Sequence, residues 1–185
     1  MKTLQIGQTG LEAPVLAVGC MRLNTLDKPG AERFLRTALE LGLNFFDHAD
    51  IYGGGACETL FAEALGLSLS SDLRERIILQ SKCGIEQRDG QVIGYNHSKA
   101  YILRSVDAIL KRLKTDYLDL LILHRPDALA DPEEIAEAFG NLKDAGKVHH
   151  FGVSNQRAAQ MALLQKYWKE PLAVDQLQLS VTNCT

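Results

Sequence analysis

Four side chains able to move a proton stand at or just beyond the ends of apolar runs: Asp47, with Tyr52 just beyond it, in "FFDHADIYGGG", Lys82 closing "RIILQSK", and His124 closing "LDLLILH". A free phenol titrates near pH ~10, too high for efficient proton donation at neutrality, and an adjacent ammonium favours its ionised form. Lys82 is the ammonium to place beside Tyr52. It ends a run that should be buried, so its charge requires a partner, and Asp47 is the candidate. His124 then offers a hydrogen bond that orients a carbonyl oxygen. Singly, a strand-end Asp is more commonly a turn former, a Tyr a rim residue and a Lys a solvated tip. Four convergent titratable groups argue for catalysis instead. The set protonates an oxygen but brings no nucleophile: no G-x-S-x-G surrounds a serine, and no cysteine adjoins a strand-end histidine in sequence. A reactive group such as a hydride has to come from a cofactor.

The elements that position these residues are six short apolar runs, Val15 to Cys20, Asn44 to Ala49, Arg76 to Lys82, Leu118 to His124, His149 to Asn155 and Val174 to Ser180. Most are continuously apolar, which suits strands of a parallel sheet covered on both faces. Helical patterns lie between them. "GAERFLRTALELG" sets Phe34, Leu35, Ala38, Leu39 and Leu41 on one apolar face and stops at Gly42, and "CETLFAEALG" stops at Gly66. Ser98 caps a helix carrying Ile102, Val106, Ile109, Leu110 and Leu113. Asp131 and Pro132 open another, with Glu134 closing a capping-box-like arrangement and Gly146 past its end. A last helix spans Gln156 to Trp168. "TLQIGQTGLEAP" predicts a small N-terminal hairpin around Gly7 to Gly10.

Alternating strand and helix fits an open doubly wound sheet or a (β/α) barrel. Neither G-x-G-x-x-G nor a P-loop follows the first strand, and Gly53 to Gly55, without a following G-K-[ST], predict a flexible loop. In both folds the site gathers where parallel strands end, which is where Asp47, Lys82, His124, Ser154 and Asn155 fall.

With 185 residues, 46% of them hydrophobic, the chain is long enough for one domain with a substantial core. A net charge of -3 without a basic run argues against a nucleic-acid partner, and the lack of a long uncharged apolar stretch argues against a membrane span. The expected setting is cytoplasmic. Cys20, Cys57, Cys83 and Cys184 form no C-x-x-C pair and are expected to stay reduced. His48 and Cys57 flank the opening stretch, but no second ligand pair has zinc spacing, so no metal is expected.

These motifs resemble the aldo-keto reductases. The family's Asp, Tyr, Lys and His tetrad corresponds to Asp47 in "FFDHADIY", Tyr52, Lys82 in "LQSKCG" and His124 in "LILHRPD". The "DHADIYGG"-like stretch, with His48 where many members carry a small or hydroxyl residue, is similar to a bacterial oxidoreductase subgroup. The resemblance implies a (β/α)8 barrel of the TIM type and NADPH as cofactor. It also implies cofactor contacts from Ser154 and Asn155 in "GVSN", from Gln176, from Met21 and Arg22, and from Asp47. A small-molecule aldehyde or ketone is the implied substrate, with Tyr52 as general acid.

Such barrels typically take about 250 residues, whereas about six βα units are visible in residues 1–185. The expectation is therefore a single, C-terminally truncated barrel domain, with strands seven and eight missing, and with open edges prone to self-association. Two functions follow as expectations: an NADPH-dependent carbonyl reductase, or a catalytically weak or inactive chain serving as a binding or partner module.

Overall fold

A computed structural model describes residues 1–67 and 72–182. Along the chain lie β1 (Thr3–Gln5), β2 (Glu12–Pro14), β3 (Val18–Gly19), α1 (Lys28–Glu40), β4 (Phe45–Asp47), α2 (Ala56–Leu65), α3 (Asp72–Glu75) and β5 (Ile78–Cys83). They are followed by β6 (Ile85–Arg88), β7 (Gln91–Tyr95), α4 (Lys99–Leu113), β8 (Leu118–Leu123), α5 (Pro132–Asp144), β9 (Val148–Ser154), α6 (Ala158–Tyr167) and β10 (Asp175–Gln176).

All six expected core strands form. They lie in one sheet in the order β10-β9-β8-β5-β4-β3, every neighbouring pair parallel. Spatial order thus repeats chain order, with no reversal among the described residues. A doubly wound sheet reverses at a switch point, so this unbroken progression decides for the barrel type. β3 and β10 form the two edges, and β1 with β2 makes the N-terminal hairpin.

The period of two along each strand sorts side chains between two environments. Outward, Phe46, Leu79, Leu121 and Leu123 join Phe61, Ile102, Ile109 and Phe139 from the helices in the main core. Inward, Ile78 and Leu120 pack with Ile6, Ala13 and Ala173, so the hairpin covers the inner face near the start of the strands. Above that layer the inward positions of β4 and β5 become polar.

Helix signals were mostly realised. Ser98 Oγ accepts from the Tyr101 N–H, Asp131 Oδ1 accepts from the Glu133 N–H at 2.9 Å, and Gly42, Gly66 and Gly146 all take positive φ. Asp131→Ala should cost about 1 kcal/mol, the usual worth of an N-cap, read as a lower urea midpoint with unchanged slope.

Several expectations need correction. Phe34 and Leu41 are 45% and 63% exposed, because α1 buries only the narrower stripe of Ala31, Leu35 and Ala38. Glu134 accepts from the backbone N–H of Lys99, at the start of the neighbouring helix α4, rather than closing its own cap. The first and last core strands pair over two residues each, and Leu177 and Leu179, counted in the last run, are exposed. Gly53 to Gly55 are no flexible loop: they form a packed left-handed turn running directly into α2. The β6–β7 hairpin was not anticipated. Its signal was present in Asp89-Gly90, whose positive φ values of 52° and 76° are those of a tight hairpin turn.

Candidate functional site

Lys82 lies on the inward face of β5 and is 2% exposed. Its Nζ donates to Asp47 Oδ1 at 2.5 Å, to the His48 carbonyl at 2.9 Å and to Tyr52 Oη at 3.2 Å. An ammonium has three protons to place, and here all three find oxygens. Only a compensated charge is tolerable at that depth, so the burial of β5 itself selects the partners.

Each partner arrives by a separate route. Asp47 ends β4, which is paired in parallel with β5. Tyr52 opens the glycine turn, where Gly53, Gly54 and Gly55 adopt φ of 59°, 61° and 91°, a left-handed run that side-chain-bearing residues resist. A Cβ on Gly53 would meet Asn24 Nδ2 at 2.6 Å, and one on Gly55 would meet Arg112 Cδ at 2.7 Å, so the turn is packed in place. His124 follows β8, its ring edge-on to that of Tyr52 with centroids 6.0 Å apart. Its Nδ1 is buried without a partner among the described residues. Burial, then the charges of Lys82 and Arg125, push His124 down to about 4, so the ring is neutral at neutral pH and keeps one N–H to donate.

A strip of amides adjoins this group. Gln176 Nε2 donates to Asp47 Oδ2 at 3.4 Å, Ser154 Oγ donates to the Gln176 carbonyl at 2.8 Å, and Asn155 Nδ2 donates to Ser154 Oγ at 2.7 Å. Met21 and Arg22 are exposed in the turn after β3, tied to α2 by the Cys57 thiol on the Met21 carbonyl, and make no hydrogen bond to the other site residues.

Sequence reasoning missed Gln80, 4% exposed, whose Nε2 donates to Asp47 Oδ1 at 2.5 Å and to Gln176 Oε1 at 3.2 Å. Its signal was its spacing: two residues before Lys82 on a strand puts it on the same face. Also missed was the layer behind the site. Glu58, fully buried, accepts from Ser81 Oγ at 2.7 Å and from Arg112 Nε at 2.6 Å, while the Asp50 N–H donates to the Lys82 carbonyl at 3.0 Å. His48 packs edge-on against Phe61 at 4.6 Å, and among the described residues no group of three His, Cys, Asp or Glu is placed to hold a metal ion. Cys20, Cys57 and Cys83 are buried free thiols; Cys184 lies outside the described residues.

Buried titratable groups make stability depend on pH in two opposed ways. Burial pushes His48 down to about 3 and His124 to about 4 from 6.5, so their contributions are complete above pH 6.5 and lost as pH falls through those lower values. Asp50 is the reverse. Burial, then the Glu58 carboxylate, raises it from 3.8 to about 7, so its contribution is complete below 3.8 and lost as pH rises through about 7. Asp50→Asn isolates that second effect. The stability of the wild type relative to the variant should grow as pH is lowered from about 8 to about 5 in urea denaturation, and a shrinking difference would contradict the assignment.

Parallel strands in chain order, with the candidate site's polar groups gathered at their C-terminal ends, define a protein of the βα-barrel type. The chain belongs to the Aldo/keto reductase family, whose sequence profile matches residues 15–184. It is 47% identical over 169 residues to the uncharacterized oxidoreductase YcsN of Bacillus subtilis (strain 168), covering 88% of this chain and 56% of that protein. It is 49% identical over 150 residues to the oxidoreductase YdhF of Escherichia coli (strain K12), covering 80% of this chain and 50% of that one. The aldo-keto reductase AKR11C1 from Bacillus halodurans, solved in a holo form, superimposes with a TM-score of 0.85 at 34% identity, over 97% of this chain and 58% of its own. The chain therefore spans about half the length of the curated relatives it matches.

Proposed function

We propose that this chain carries the proton-transfer half of an NADPH-dependent reductase that converts aldehydes or ketones to alcohols. The observation that carries this reading is the Lys82 ammonium, 2.5 Å from Asp47 Oδ1 and 3.2 Å from Tyr52 Oη. Tyr52 gives its hydroxyl proton to the carbonyl oxygen, and Lys82 stabilises the phenolate left behind. Asp47 keeps the ammonium charged and in place. The neutral His124 donates a hydrogen bond that orients the carbonyl oxygen.

The residues present fit a nicotinamide: Ser154, Asn155 and Gln176 offer hydroxyl and amide groups suited to a carboxamide, joined to the tetrad through the Gln176–Asp47 hydrogen bond. Met21 and Arg22 are assigned to its ribose side by the family resemblance only. When bound, the dinucleotide supplies the hydride that reaches the carbonyl carbon. The preference for NADPH over NADH rests on the family resemblance alone.

The test is NADPH-linked turnover of a generic aldehyde by wild type and Tyr52→Phe, with dinucleotide binding followed in parallel by fluorescence. Turnover lost in the variant with binding retained supports the reading. No turnover by the wild-type chain, or turnover that survives the substitution, removes it.

A further inference from the structure

We propose that the cleft between α4 and the β6–β7 hairpin is a binding site for a small oxyanion, a carboxylate- or phosphate-bearing molecule gripped by Arg104 and Arg112. The cleft has a volume of about 470 Å³. Its walls come from three places: Asp50 and Gly54 after β4, the hairpin around Gln87, and the face of α4 carrying Arg104, Ser105 and Arg112. It is separate from the tetrad, since none of Asp47, Tyr52, Lys82 or His124 lines it. Its walls belong to α4, the separate β6–β7 hairpin and the turn after β4, not to the sheet edges β3 and β10.

The donors available there are unspent. Arg112 commits only its Nε, to Glu58 Oε2 at 2.6 Å, and its terminal nitrogens have no acceptor among the described residues. Arg104 has no carboxylate within reach among those residues; its guanidinium stands 5.4 Å from the centre of the Tyr101 ring. A guanidinium presents paired N–H groups that match a carboxylate or phosphate edge, which makes two of them beside an open cleft a recognisable anion cradle. The space beside Gly54 and Gly90 on its wall is open: a Cβ on either would meet nothing within 4 Å.

Asp50 decides whether an anion is tolerated. Its Oδ1 is buried without a partner among the described residues. The charged and titratable groups around it are Glu58 on α2, Arg112 and Tyr101 on α4, and Lys82 and Cys83 on β5. Glu58 is already bound to Arg112 and Ser81, and burial raises Asp50 to about 7. Below that pH the Asp50 carboxyl keeps its proton and donates to a bound oxyanion; above it, the carboxylate repels one. Asp89, also on the wall, is exposed at the hairpin tip, where salt screens it. The Asp50 N–H is bonded to the Lys82 carbonyl, so Asp50 ties the cleft wall to the strand that carries Lys82.

The chain is titrated with sodium phosphate and, separately, with sodium acetate at fixed ionic strength, following backbone amide shifts by NMR. Near pH 6 at least one anion should give saturable shifts at Gly54 and Arg104. Arg104→Gln should weaken it about tenfold, the equivalent of one charge-assisted contact. Lys111→Gln, an exposed charge on the same helix outside the cleft, should change nothing. Moving from about pH 6 to about pH 8 should weaken binding in the wild type relative to Asp50→Asn, a comparison that cancels any ionisation of the anion itself. Saturation by phosphate alone assigns a phosphate-bearing occupant, and by acetate alone a carboxylate. The proposal is overturned if neither anion saturates, or if Arg104→Gln and Lys111→Gln weaken binding equally. The spectra themselves report whether each variant is folded.

Discussion

Tyr52→Phe should lower NADPH-linked turnover at least about a hundredfold, the usual minimum contribution of a general acid. The substitution deletes one oxygen and leaves the ring, with its edge-on contact to His124, in place. Lys82 loses one of three acceptors and keeps Asp47 and the His48 carbonyl. The loss should therefore fall on kcat, with dinucleotide affinity and folding stability close to wild type. Lys82→Met differs in kind. It removes the charge that Asp47 requires and leaves a buried carboxylate beside an apolar chain, so activity and stability should fall together. Equal stability losses in the two variants would mean that the Tyr52 hydroxyl is structural rather than chemical.

Asp119→Ala should destabilise the fold by about 3 to 5 kcal/mol, the cost of removing one partner from a buried ion pair. Arg74, 5% exposed, donates to Asp119 Oδ2 at 2.8 Å, to Thr115 Oγ1 at 2.8 Å, and to the carbonyls of Ile77 at 3.1 Å and Tyr117 at 3.0 Å. Its guanidinium also covers the Tyr117 ring at 3.8 Å. Asp119 in addition accepts the Leu79 N–H at 2.9 Å. This knot joins α3, β5 and the start of β8. Truncating Asp119 strands both a guanidinium and a backbone N–H in the interior, whereas Asp119→Asn keeps an acceptor for each and should cost less. Urea denaturation measures the difference; a loss below about 1 kcal/mol would show that water reaches Arg74 once the carboxylate is gone.

What was legible beforehand was local. Leu118 to Leu123 could be recognised as a buried strand because six consecutive apolar or strand-compatible residues need cover on both faces, and all six are buried. Ser98, Asp131 and the terminal glycines announced their helices because capping acts over three or four residues. Asp89-Gly90 was equally local and was overlooked.

The tetrad lay between these cases. Its members were recognisable because Asp47, Lys82 and His124 each end a run, with Tyr52 just beyond the first, and parallel strands end on one side. That Lys82 Nζ would touch both Asp47 and Tyr52 depended on the register of β4 on β5 and on the left-handed turn at Gly53 to Gly55, which no spacing states.

The sequence by itself determined the alternation of strand and helix, the helix ends and the residues able to move a proton, since each depends on neighbours along the chain. Only the tertiary structure decided the rest: that strand order follows chain order, that Gln80 joins Asp47 to Gln176, and that Glu58 meets Arg112 across 54 positions. Those contacts are made by residues whose separation along the chain carries no information about their separation in space. They are set by which face of each element is buried and by the pairing of strands, and both are properties of the assembled sheet.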